Sequence, residues 1–199
     1  MADDSTTIIA WDGERHDRGV RLLQRIGGPD AAAPILALND VAPDLVRFAI
    51  DFAFGEVLSR PELDVKTREL CTVGALATMA HAASQLAWHM EAAVRVGARL
   101  SEVDEVRRIA ASHAASPAGA AADPAPQAMD EITRELATVA LLTAIATKPA
   151  ALKAHVRAAL DDGASRAQVI AAIEQMVVYA GFPAALNGVA AAREVFEER

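Results

Sequence analysis

The chain contains an internal repeat, and this repeat limits what the sequence can fold into more than any other feature. Residues 64–98 align without a gap to residues 130–164, and 15 of the 35 paired positions are identical. Alanine supplies 47 of the 199 residues, so some matches come from composition, but the shared Thr-Arg-Glu-Leu, His and Gly do not. The sequence therefore predicts a duplicated structural unit.

Each copy is predicted to form a helical hairpin that is followed by a third helix. An aspartate caps a first helix of about sixteen residues, a second helix begins after it, and a glycine ends that second helix. These three signals are Asp64, Ser84 and Gly97 in the first copy, and Asp130, Pro149 and Gly163 in the second. For the third helix, Ser101 with Asp104 and Ser165 with Gln168 are the predicted caps, and the latter pair matches a capping box.

The remaining segments complete an all-α organisation. We predict a leader over residues 1–15, an N-terminal repeat unit over 16–110, an Ala/Pro linker over 111–127 and a C-terminal repeat unit over 128–199. The N-terminal unit has two further predicted helices, His16–Ile26 and a helix from Pro43 to Leu58. Abundant alanine with only eight aromatic residues favours helices in thin, closely packed layers.

Composition excludes several classes of function. A net charge of −8 and a pI of about 5.1 argue against nucleic acid as a partner. No basic segment precedes an apolar stretch, and no apolar run reaches the roughly 20 residues that span a membrane, so a cytoplasmic location is expected. The single cysteine, Cys71, cannot form an intrachain disulfide and is predicted to lie in the core.

The sequence also offers no recognisable site for a metal or an organic cofactor. His81 and His89 are eight positions apart with no carboxylate at ligand spacing, and neither an HExxH motif nor a Gly-rich phosphate loop occurs.

Three sequence features point to a known family. Residues 43–70 read PDLVRFAIDFAFGEVLSRPELDVKTREL, and residues 179–199 read YAGFPAALNGVAAAREVFEER. A Leu-x2-His-x3-Ala spacing occurs at Leu86, His89 and Ala93 and again at Leu152, His155 and Ala159. These features resemble the carboxymuconolactone decarboxylase family of the alkylhydroperoxidase D-like superfamily. The resemblance implies an all-α, alkylhydroperoxidase D-like helical bundle, here built from two repeated helical-hairpin units.

The resemblance also implies an activity and the residues for it. Family chemistry is the cofactor-independent loss of CO₂ from a small carboxylated lactone, which converts 4-carboxymuconolactone to the enol-lactone of 3-oxoadipate. His89 and His155 match the family's histidine and are candidates for proton transfer. Arg60 is a candidate to anchor a carboxylate at the catalytic site, and Glu56 a candidate to orient a histidine, as Glu69 also could.

Four further residues are candidates for substrate binding. Arg68 and Arg134 could bind a carboxylate, although each could instead pair with a neighbouring glutamate inside the fold. Tyr179 and Asn187 are polar residues in an apolar stretch, which predicts that they line a cavity or join helices. Because each copy lacks a segment that the other has, we expect the two repeats to pack about a pseudo-twofold axis and to share at least one composite pocket. The family also implies a homo-oligomer, in which a trimer of duplicated chains would imitate a hexamer.

Two other functions remain open at this point. Duplication with loss of parts would suit a non-catalytic helical module for oligomerisation or ligand binding. A thiol peroxidase using Cys71 is disfavoured, because the CxxC register lands on His81 and Ser84 in the first copy and on Thr147 and Ala150 in the second.

Overall fold

The computed structural model describes residues 13–115 and 127–199, and in these residues it is helical throughout, with no strand. Ten α-helices and one π-helical segment follow one another along the chain. Their bounds are α1 Gly13–Gly27, α2 Ala33–Leu36, α3 Pro43–Arg47, the π-helix Phe48–Val57, α4 Val65–Leu76, α5 Ala83–Arg95, α6 Leu100–Ala115, α7 Glu131–Ile145, α8 Pro149–Asp161, α9 Arg166–Glu174 and α10 Val177–Glu197.

The duplicated unit is confirmed as three helices in each copy, α4–α6 and α7–α9. The Asp64 side chain accepts a hydrogen bond from the Thr67 backbone N–H at 3.0 Å, and Asp130 accepts the equivalent bond from Thr133 at 2.9 Å. These bonds satisfy N–H groups that the first turn of a helix leaves without partners. At the start of α9, Ser165 and Gln168 form the complete capping box.

The two copies pack against each other through their first helices, α4 and α7. Each first helix is flanked by the second and third helices of its own copy, and α10 covers α7, α8 and α9. The main core lies between these layers and includes Leu70, Val73, Leu136, Leu141 and Met176, all fully buried. Burial of these apolar side chains is the main force that holds the two copies together.

A second, smaller core lies at the N-terminal end, where α1 crosses the π-helix. A Cβ atom at Gly19 would stand 2.2 Å from the Ile50 carbonyl oxygen, and one at Gly55 would stand 2.1 Å from the Arg15 carbonyl oxygen. Only glycine permits two backbones to approach so closely. This crossing fixes the position of α1 on the π-helix. We call α1, α2, α3 and the π-helix the N-terminal layer, and α1 also contacts α5.

Several predicted boundaries are wrong. The helix expected from Pro43 to Leu58 exists, but after five α-helical residues it continues as the π-helix, which packs on α1. Ser101 does not cap α6, because the helix begins at Leu100 and the Glu102 carboxylate instead accepts the Arg99 N–H at 2.7 Å.

The predicted leader and linker are both shorter than expected within the described residues. Helix α1 already begins at Gly13, and α6 runs on to Ala115. The rest of these two predictions, residues 1–12 and 116–126, lies outside the described residues.

Glycines end the hairpins as predicted, with φ of 104° at Gly97 and 102° at Gly163. Helix α10 is bent near its start, where Gly181 has φ 80° and Pro183 follows. This bend separates Tyr179 from the rest of the helix and turns the first residues of α10 toward the N-terminal layer. Over the parts of the chain described here, none of the helices has the length and apolar character of a membrane span.

Candidate active site

A cavity of about 550 Å³ lies between the N-terminal layer, the start of α5 and the start of α10. Its wall is mostly aliphatic and aromatic. The lining residues are Leu23, Ala31, Pro34, Ile35, Leu45, Phe48, Ala49, Phe52, Ala53, Phe54, Ser84, Gln85, Trp88, His89, Val177, Val178 and Tyr179. Because these residues come from both ends of the chain, the cavity draws on both halves of the molecule.

His89 is the one histidine among the described residues that lines this cavity, and its side chain is held in place by Glu69. The His89 Nδ1 atom lies 2.8 Å from Glu69 Oε2, and both side chains are buried. With Nδ1 bound to the carboxylate, Nε2 is the ring nitrogen left to meet a ligand. A histidine oriented in this way by a carboxylate can hold or release a proton at a fixed position.

Tyr179 stands next to His89 on the cavity wall. The two rings meet edge to face with centroids 6.0 Å apart, and Thr72 Oγ1 donates a hydrogen bond to the Tyr179 hydroxyl oxygen at 3.1 Å. Burial, reinforced by the Glu69 carboxylate, raises the pKa of Tyr179 above its ordinary value. The hydroxyl therefore stays protonated and can donate its hydrogen to a bound oxygen atom.

The hairpin explains how Glu69 and His89 meet. Glu69 lies on α4, five residues after the Asp64 cap, and His89 lies on α5, so the turn between the helices brings the two side chains together. Burial would raise the pKa of Asp64, but hydrogen bonds from Thr67 and the nearby Lys66 outweigh it and lower that pKa. The cap thus stays ionised and keeps the start of α4 in register.

The second copy has the same pair in different surroundings. His155 Nδ1 lies 2.7 Å from Glu135 Oε2, but neither residue lines the 550 Å³ cavity. The His155 side chain is 29% exposed, and its ring faces that of His113 at 5.4 Å. Burial is the largest cause that lowers the pKa of His113, and the charges of the nearby His155 and Lys148 lower it further.

Asn187 lies apart from Tyr179, at a separate cavity of about 30 Å³ beside Lys148. That volume is close to the space occupied by a single water molecule, so the second cavity cannot hold an organic substrate. The structure thus brings Tyr179 to His89 but leaves Asn187 with the second copy.

Arg60 and Glu56 are close to each other but do not line the cavity. Glu56 is surrounded by three arginines, at 3.2 Å from Arg15, 3.7 Å from Arg18 and 3.1 Å from Arg60. These ion pairs are partly exposed and lie on the outer side of the N-terminal layer. The expected role of Glu56 in orienting a histidine is taken by Glu69 instead.

Arg68 and Arg134 both bind protein groups rather than facing the cavity. Arg68 is buried and donates to the Arg60 carbonyl oxygen at 2.8 Å and to Gln175 Oε1 at 3.1 Å. Arg134 donates to Glu105 Oε1 and to the Met129 carbonyl oxygen, both at 2.7 Å. Each arginine therefore ties the first helix of its copy to the third-helix region of the other.

Cys71 is fully buried, as predicted. Burial raises the pKa of its thiol to about 12, so the thiolate needed for peroxide chemistry does not form near neutral pH. In the part of the chain that is described, no three His, Cys, Asp or Glu side chains are grouped to hold a metal ion.

Several lining residues were not predicted from the sequence. Trp88 precedes His89 and meets its ring edge to face at 4.8 Å, and Phe52 stacks on Phe182 with centroids 6.3 Å apart. The sequence does contain a signal for Trp88, because the position aligned with it in the second copy is Ala154, so the two copies differ there in side-chain size. Phe52 carries no such signal, since it belongs to a uniformly apolar run.

Comparison with known proteins identifies the family of the chain. The model of the carboxymuconolactone decarboxylase family matches twice, over residues 43–128 and 119–194. A 4-carboxymuconolactone decarboxylase from Acinetobacter baylyi is 31% identical over 112 residues, which cover 56% of this chain and 83% of that protein. The first match includes the first copy of the repeat, residues 64–98, and the second match includes the second copy, residues 130–164. The chain therefore belongs to the carboxymuconolactone decarboxylase family.

Proposed function

We propose that this protein is a cofactor-independent lyase that removes CO₂ from a cyclic carboxylic acid or lactone acid bound in the 550 Å³ cavity. The observation that carries the proposal is the Glu69–His89 pair at the cavity wall beside Tyr179. Membership of the family and the similarity to a 4-carboxymuconolactone decarboxylase support a decarboxylase-like activity.

Decarboxylation needs a hydrogen-bond donor for the developing oxyanion and a proton donor for the carbon, and these side chains can supply both. When the bond to the carboxylate carbon breaks, its electron pair moves into a conjugated carbonyl, and the Tyr179 hydroxyl can stabilise the resulting oxyanion by donating a hydrogen bond. The carbon that loses CO₂ must then receive a proton, which we assign to His89 Nε2. Glu69 stabilises the imidazolium before the transfer, and solvent restores the proton after the product leaves.

The apolar wall contributes to the same chemistry. Because His89 is buried and the surrounding wall is mostly apolar, its charge and the hydrogen bond from Tyr179 act more strongly than they would in bulk solvent. Moving a carboxylate out of water also raises its free energy relative to the transition state, in which the negative charge is spread over the conjugated carbonyl, and this favours loss of CO₂.

The test is CO₂ release from a panel of substrates that contains 4-carboxymuconolactone and bicyclic acids with a carbonyl group conjugated to the departing carbon. Replacing His89 by Gln is expected to lower turnover at least about 100-fold, because a positioned acid or base supplies rate factors of about 10² to 10⁴. The matched control is His155→Gln, which should leave turnover within about 3-fold of the unmodified protein.

Two results would overturn the proposal. One is full activity in His89→Gln, and the other is an absence of CO₂ release from every acid in the panel by folded protein. Hydroperoxide reduction, assayed in parallel, should stay at background because Cys71 is buried and protonated.

A further inference from the structure

The charge of the cavity wall constrains the substrate more than the fold does. No lysine or arginine is among the lining residues, all of which belong to the described parts of the chain. Arg68, the buried arginine nearest in sequence to Glu69, is occupied by the Arg60 carbonyl oxygen and Gln175. The cavity therefore lacks the guanidinium groups with which proteins usually bind a pair of carboxylates.

The polar groups of the cavity are confined to a small part of its wall. His89 and Tyr179 lie side by side, and Ser84 bonds to its neighbour Gln85 at the exposed start of α5. His89 is thus the single lining residue that can carry a positive charge, and with its Nδ1 bound to Glu69 it has one N–H, at Nε2, that can hold one carboxylate together with the Tyr179 hydroxyl. A second carboxylate on the same ligand would lie against apolar atoms and lose its water without gaining a partner.

The size and surface of the rest of the cavity favour a large apolar body. A volume of about 550 Å³ lies within the range of about 300–1,000 Å³ typical of sites for drug-sized ligands. Phe48, Phe52 and Trp88 present aromatic surface to it, which suits stacking with a flat ring system.

We infer that the substrate is a bulky, mostly apolar cyclic acid that carries one carboxylate, and that small dicarboxylates such as 4-carboxymuconolactone are poorly bound. This inference rests on the proposed function, because it places the substrate of that reaction in the same cavity. The single carboxylate faces His89 and is the group that leaves as CO₂, while the aromatic wall holds the remainder of the molecule.

Binding of three naphthalene probes, measured by isothermal titration calorimetry near pH 7, tests the inference. The probes share one ring system and differ in charge: 2-naphthol is neutral, naphthalene-2-carboxylate has one carboxylate, and naphthalene-2,6-dicarboxylate has two. The monocarboxylate is expected to bind at least about 10-fold more tightly than the dicarboxylate, because the second carboxylate is desolvated without a partner. Equal or tighter binding of the dicarboxylate would overturn the inference.

Two variants establish that binding occurs in this cavity. Ala49→Phe adds a ring to the cavity wall and is expected to weaken binding of naphthalene-2-carboxylate at least about 10-fold. Ala87→Phe adds the same ring at an exposed position of α5 that does not line the cavity, and it should bind normally. Circular dichroism melts show whether both variants are folded, and undiminished binding by folded Ala49→Phe would contradict the assignment.

The calorimetry needs no turnover, so the two proposals can fail separately. If the monocarboxylate binds best but no acid releases CO₂, the proposed function is wrong and the assignment of the ligand class stands. If 4-carboxymuconolactone is turned over and the dicarboxylate probe binds best, the proposed function stands and the inference about the substrate is wrong.

Discussion

The two copies of the repeat hold the same pair of side chains at almost the same distance, yet in the described parts of the chain the 550 Å³ cavity is lined by the histidine of the first pair and not by that of the second. The nitrogen-to-oxygen distance is 2.8 Å for His89 and Glu69 and 2.7 Å for His155 and Glu135. Around His89 the cavity measures about 550 Å³, whereas His155 faces the ring of His113.

This difference shows which parts of the chain make the site. The hairpin alone produces the glutamate–histidine pair, because both copies have it. The cavity is produced by elements outside the repeat, namely α1, α2, α3, the π-helix and the start of α10, together with Trp88 at a register where the second copy has Ala154. Duplication therefore copied the glutamate–histidine pair but not the cavity.

The two repeat arginines offer the largest expected effect on stability. Arg134→Met leaves the buried Glu105 carboxylate without its cation and is expected to lower the free energy of unfolding by about 3 kcal/mol. Arg68→Met leaves two neutral acceptors, the Arg60 carbonyl oxygen and Gln175, and a partly exposed Glu62 carboxylate at 3.8 Å, and should cost about 1–3 kcal/mol. Urea denaturation measures both. If either variant instead raised KM without loss of stability, that arginine would be a substrate anchor.

The glutamates of the two pairs should differ in their effect on catalysis. Glu69→Gln is expected to lower kcat at least about 10-fold with little change in KM, because the amide cannot stabilise a charged His89. Glu135→Gln should leave kcat within about 2-fold, since its histidine faces no ligand cavity. Steady-state kinetics separates the two parameters, and an equal loss in both variants would break the contrast between the copies.

The smallest expected effect is a dependence of stability on pH that belongs to the second copy. Because the pKa of His113 is lowered in the folded protein, the unfolded chain binds a proton at this residue more readily. Stability is therefore full above the unfolded pKa of about 6.5 and falls as the pH drops through that value toward the folded pKa. His113→Gln should flatten this part of the profile, as measured by urea denaturation between pH 7 and pH 5. The same slope in variant and parent would exclude His113 as its source.

Local signals explain why most helices could be predicted. Asp64, Asp130 and the Ser165–Gln168 box act within three or four residues of the helix start, so the sequence alone reveals them. The π-helix could not be predicted in the same way, because its apolar run contains no local signal and its geometry depends on the close approach of α1 at Gly19 and Gly55.

The residues of the candidate site also divide into those that the sequence reveals and those that it does not. The repeat selects His89 and His155 alike, of which His89 alone lines the cavity, and Tyr179 could be predicted as a polar residue in an apolar segment. The cavity could not, since its aliphatic and aromatic residues resemble core residues and come from elements far apart in the chain. The roles of Arg68 and Arg134 depend on partners 107 and 29 residues away in sequence, which no local pattern reveals.

The first glutamate–histidine pair, and not the second, is expected to meet a ligand, and histidine NMR can follow both pairs in one experiment. The chain has five histidines, so imidazole carbon–proton signals can be assigned with His89→Gln and His155→Gln. On titration with naphthalene-2-carboxylate, the signals of His89 should shift while those of His155 and His113 stay in place. Shifts at His155 that match or exceed those at His89 would show that the ligand does not bind at the first pair.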